Sequence, residues 1–174
     1  MGRWIGQPLK THRTINNKAK VMAMDDGLKW KYIKQAINET VIQRVEMQLG
    51  VSFPQSYKDC VLLFHGARPE PNEFRTENGE EKAVRSLLPL EPYVKGNVIE
   101  VWGWISDRLA PGLVPFADDA FGNYLCFDFR DGASEEPKVL FWDHDKAAMA
   151  PDHAVILVAS TFSELMNRIA GKEG

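Results

Sequence analysis

The chain is poor in cysteine, with only Cys60 and Cys126 among 174 residues. Two thiols far apart, both in apolar surroundings, exclude the multi-disulfide framework of a small secreted domain. They read as reduced core thiols of a cytoplasmic protein. Long hydrophobic runs are missing too. No apolar stretch approaches the roughly 20 residues that span a bilayer. The first residues contain no apolar core of a secretory signal. A membrane is therefore not an expected partner. Phosphate-cradling loops are absent: Gly122 and Gly132 stand isolated, unlike the clustered glycines of dinucleotide or P-loop motifs. Neither cysteine sits in a nucleophile motif, and Ser160-Thr161 is better explained as a helix cap than as catalytic machinery. The five Trp residues do not interleave with basic ones, which argues against a single-strand nucleic-acid platform. No catalytic residue, cofactor or resident metal is expected, and no internal repeat or interdomain linker interrupts the chain.

What is present is an uneven distribution of charge. Residues 1–24 hold five bases (Arg3, Lys10, Arg13, Lys18, Lys20) and no acid. They have no sustained period and read as a loosely ordered basic arm, ahead of a single domain at 25–174. The remainder carries 16 bases against 24 acids, a net of −8, and 118–152 alone carries nine acids against three bases, a net of −6. Such a field repels nucleic acid and attracts basic partners.

Periodicity supplies the elements. A helical pattern is expected from Asp25 through Trp30, Ile33 and Ile37 to Val41, Ile42, Val45 and Leu49, with Asn38 able to cap a separate second helix and Gly50 as its stop. Pro54 opens another helix, with Ser52 as its cap and Tyr57, Val61 and Phe64 as its stripe. Residues 67–83 are polar and read as a surface loop with a short strand near Phe74, and 84–90 reads as a strand. Residues 97–109 return to a helical period, capped by Asn97. Strands are then expected at 113–117, 123–129 and 138–143. The continuous apolar run 154–159 suggests a central strand, and a last helix starts at a Ser160 cap. Helices first, then a strand meander, then a closing helix give an α+β fold, a mostly antiparallel sheet with helices packed on one face.

The carboxylates collect at strand ends and turns. Asp118, Asp119, Asp131, Glu135, Glu136, Asp143 and Asp145 are the candidate partner contacts, acting by charge complementarity. Two enzymatic readings compete with this. Asp143-His144-Asp145, with His153, offers metal ligands for a hydrolase, but successive residues of a strand point to opposite faces and seldom converge on one ion. Asp118-Asp119 with Asp128 offers an acid/base pair, but turns select Asp, Gly and Asn for local hydrogen bonding.

Several segments together resemble the SUKH superfamily (Smi/Knr-like), which includes a yeast cell-wall assembly regulator and bacterial toxin-immunity proteins. The likeness runs through Leu49-Gly50-Val51-Ser52-Phe53-Pro54-Gln55-Ser56-Tyr57, Leu113-Val114-Pro115-Phe116-Ala117-Asp118, Gly122-Asn123 and Cys126-Phe127-Asp128. It closes with Trp142-Asp143-His144-Asp145 and Ala159-Ser160-Thr161-Phe162-Ser163-Glu164-Leu165, covering about 38–170. Phe53 stands where the family usually has Leu, and His65-Gly66-Ala67 where it often has Asn-Gly-Gly. The resemblance implies the α+β sheet of that family and no enzymatic activity. It implies a protein partner, a cognate toxin and often a nuclease, whose basic surface an acidic face can dock on. A regulatory interaction module of the yeast type is the alternative.

Overall fold

The computed structural model describes residues 27–132 and 136–172; the basic arm, Asp25, Asp26 and Glu135 lie outside them. The helix expected from Asp25 begins only at Glu39. Lys29–Lys31 instead form strand β1, paired antiparallel with β2, Arg68–Glu70. Tertiary contacts override the local period here, because the Trp30 ring stacks on Phe64 at 4.8 Å. Tyr32 then adopts a left-handed φ of 59°, which no continuing helix tolerates. Asn38 caps helix α1, Glu39–Leu49, by accepting from the Val41 N–H, and Gly50 closes it at φ 68°.

Helix α2, Gln55–Phe64, follows directly. Pro54 occupies its cap position with no side-chain cap bond, so Ser52 does not play that part. The segment before it is tied down by the Phe53 N–H, which donates to Glu46 Oε1 of α1 at 2.7 Å. The polar stretch 67–83 holds three short strands: β2, then β3, Glu73–Arg75, and β4, Glu81–Ala83, as a hairpin. Of 84–90 only Ser86–Leu87 forms a strand, β5. Helix α3, Val98–Ile105, is capped by Asn97, which accepts from Ile99 and Glu100 N–H.

Strands β5, β6 (Leu113–Asp118), β7 (Tyr124–Asp128), β8 (Lys138–Trp142) and β9 (Val155–Ala159) lie side by side in chain order, each pair antiparallel. Helix α4, His144–Met149, sits between β8 and β9 where a plain turn was expected, and helix α5, Phe162–Ile169, closes the fold. Its cap is Thr161 rather than Ser160: Thr161 Oγ1 accepts from Glu164 N–H at 3.1 Å, while the Ser160 N–H donates to Glu164 Oε2 at 2.6 Å.

The core gathers on the sheet face carrying Phe127. Phe116 stacks on Phe127 at 4.1 Å, and Tyr57 of α2 meets Phe127 at 5.2 Å and Phe162 of α5 at 5.5 Å. Over the other face, Trp142 donates its indole N–H to the Arg108 carbonyl. Cys60 and Cys126 are buried and not joined in a disulfide, and burial pushes the Cys126 thiol pKa up. The apolar run at β9 was expected at the sheet centre, but β9 is an outer strand. Its flank is covered: the Glu77 N–H donates to the Leu157 carbonyl at 2.8 Å, and Arg168 donates to the Val158 carbonyl. The run is apolar because it is covered, not because it is central.

Candidate functional site

Strand register decides which carboxylates share a surface. Asp118 is opposite Tyr124, and Tyr124 is opposite Trp142, so Asp118, Asp119, Asp143 and Asp145 gather at one end of the sheet. Asp128 is opposite Lys138, which puts Asp131 and Glu136 at the other end, about 17 Å away along a five-residue strand. The acidic residues that sequence places in one run therefore occupy two ends.

At the first end, most carboxylates already have work inside the protein. Asp118 Oδ1 accepts from the Ser86 N–H and hydroxyl at 3.1 Å each, and Oδ2 pairs with Arg85, which raises the pKa of that guanidinium. Asp119 is buried; its Oδ1 accepts from Phe121 N–H (2.7 Å) and Asn123 N–H (2.9 Å), and its Oδ2 from the Asn123 amide (2.8 Å). Asn123 Oδ1 in turn accepts from the His144 N–H at 3.0 Å and lies 2.9 Å from His144 Nδ1. Asp143 caps α4 by accepting from Asp145 and Lys146 N–H. Asp145 faces solvent, with His144 Nε2 3.1 Å from its carboxylate.

These bonds form one chain from β6 to α4. They hold the β6–β7 turn rigidly and present Phe121, 79% exposed, at its tip. An open groove of about 480 Å³ runs beside this tip, between residues 81–85 and Asp119–Phe121. Phe121 is not among the contacts expected from the sequence; an aromatic between Asp-Asp-Ala and Gly-Asn, where turns favour small polar residues, is the signal that marks it.

At the second end, Asp131 and Glu136 are exposed. Asp128 beside them is spent on Arg130, whose Nε and Nη2 donate to it at 2.9 and 2.8 Å and hold its carboxyl below the usual range. Among the described residues, no three His, Cys, Asp or Glu side chains converge as a metal site, Asp143-His144-Asp145 included. No helix among them is long and apolar enough to cross a membrane.

The SMI1 / KNR4 family (SUKH-1) matches residues 36–168. Its members are generally non-enzymatic immunity or regulatory proteins that interact with other proteins. The chain is also similar to the SPbeta prophage-derived uncharacterized protein YokK of Bacillus subtilis (strain 168), at 28% identity over 170 residues, covering 87% of this chain and 82% of that protein.

Proposed function

Because the chain belongs to the SMI1 / KNR4 family (SUKH-1), we propose that it is a cytoplasmic immunity protein that binds and neutralises a cognate bacterial toxin without chemistry of its own. Family membership over 36–168 carries this reading. The acidic excess supports it: a nuclease toxin needs a basic surface to hold phosphates, and blocking that surface requires only complementary charge and shape. A relative carried by a prophage fits a protein that travels with mobile DNA. Of the candidate contacts, Asp131, Glu136 and Asp145 are exposed, whereas Asp118, Asp119 and Asp143 shape the scaffold behind the contact surface. Glu135 lies outside the described residues.

The test is co-purification with the product of the adjacent open reading frame. Binding by the wild-type chain, weakened in the triple variant Asp131→Asn, Glu136→Gln, Asp145→Asn, is expected. Binding of undiminished strength by that variant removes the acidic-face mechanism. A biosynthetic operon in place of a toxin gene, with no inhibition of any nuclease, transfers the protein to the regulatory branch of the family.

A further inference from the structure

The β3–β4 hairpin has a strand edge that the described residues leave open. The Val84 N–H donates to the Asn72 carbonyl at 2.9 Å and the Thr76 N–H to the Glu80 carbonyl at 3.0 Å, with Phe74 opposite Lys82 between them. Hydrogen-bonded pairs of an antiparallel ladder alternate, so Lys82 faces β3 and the N–H and C=O of Glu81 and Ala83 point away from it. Arg85, the next residue of that alternation, shows where this side leads: its N–H donates to the Asp118 carbonyl at 2.7 Å. Strand β6 thus fills the slot beside the 81–88 segment as far as Asp118. Asp119 then turns the chain away. Beyond it, among the described residues, no hydrogen bond reaches the backbone of Glu81 or Ala83. That empty stretch of slot borders the groove beside Phe121. In the five-stranded sheet, by contrast, the flank of outer strand β9 is closed by Glu77 and Arg168.

We infer that an extended segment of the protein partner adds to the free edge of β4 as a further strand, with Phe121 as its side-chain anchor. The inference rests on the protein-binding role proposed above. The occupant is set by chemistry: donors and acceptors repeating every second residue are matched by another polypeptide in extended form. The charged lining of the groove balances, with Arg68, Lys82 and Arg85 against Glu73, Glu81 and Asp119, so recognition comes from the backbone and from Phe121.

Ala83→Pro removes one outward N–H and no internal bond. With the purified product of the adjacent open reading frame as probe, this variant is expected to bind about tenfold more weakly at an unchanged melting temperature. Hydrogen exchange on the wild-type complex provides a readout independent of that variant's folding: the Glu81 and Ala83 amides slow on binding. Full-strength binding by Ala83→Pro, or unslowed Glu81 and Ala83 amides in the wild-type complex, overturns strand addition and leaves the function standing. Failure of the wild-type chain to bind removes the function and the inference together. A wild-type dimer in sedimentation that Ala83→Pro dissociates assigns the edge to a second copy and overturns the partner strand.

Discussion

Tyr57 places a hydroxyl inside an aromatic cluster. Its ring is fully buried among Phe53, Phe116, Phe127 and Phe162, and its oxygen has no hydrogen-bond partner among the described residues. Burial drives its pKa upward, so the phenol stays neutral. Removing an unsatisfied buried polar group costs nothing and recovers its desolvation, so Tyr57→Phe is expected to raise stability by about 1 kcal/mol in urea unfolding. A loss of stability would show that the oxygen has a partner. His65 is the opposite case, buried and satisfied at both nitrogens. Nδ1 lies 2.8 Å from the Gln35 carbonyl, and Nε2 accepts from the Leu90 N–H at 2.9 Å, which fixes the proton on Nδ1. Burial lowers its pKa below the ordinary 6.5. The unfolded chain therefore takes up a proton more readily than the folded one. This contribution to stability is constant above about pH 7 and shrinks as pH falls through the unfolded value. Urea midpoints between pH 8 and 5 are expected to decline in the wild type, with the His65 share of the decline absent in His65→Gln.

Caps and loop hydrogen bonds set the stability of individual elements. Thr161 and Glu164 form a reciprocal cap on α5, and Thr161→Ala is expected to cost about 1 kcal/mol, measured by the shift in thermal midpoint. The Asp119 carboxylate supports a loop rather than a helix. Asp119→Ala leaves the Phe121 and Asn123 backbone donors without their acceptor, and faster exchange of those two amides is expected, at a cost of about 2 kcal/mol. Elements whose signals are local were legible in the sequence. Asn38, Gly50 and Asn97 mark helix ends by their own side chain or conformational freedom, and Phe162, Leu165, Met166 and Ile169 mark the buried face of α5. Elements decided by distant partners were not. Lys29–Lys31 looks helical alone and becomes a strand because β2 and Phe64 meet it. The run at β9 looks central because Glu77, remote in sequence, and Arg168 of the following helix cover its flank. The acidic residues were visible, but their division between two sheet ends depends on strand register, which sequence leaves open.

For the molecule as a whole, long-range charge and short-range fit act at different stages of binding. Beyond residues 1–24 the chain carries a net −8, and exposed carboxylates stand at both ends of the sheet. A field of that kind acts before contact, orienting a basic partner during approach, and salt screens it over a Debye length of about 8 Å at physiological ionic strength. Strand addition at β4 and burial of Phe121 act only after contact, where water is excluded and screening is weak. The two contributions are therefore separable in kinetics. Raising salt from about 0.05 to 0.5 M is expected to slow association with the adjacent-frame product by about tenfold while leaving dissociation nearly constant. Neutralising Asp131, Glu136 and Asp145 lowers the association rate and flattens its salt dependence. Phe121→Ala does the reverse, leaving association unchanged and speeding dissociation by about tenfold or more, as loss of a buried aromatic anchor does. Surface plasmon resonance on the three proteins across that salt series reads both rates. Salt-independent association of the wild type would mean that the acidic residues serve solubility alone. An unaltered dissociation rate in Phe121→Ala would place the contact surface away from the β6–β7 turn.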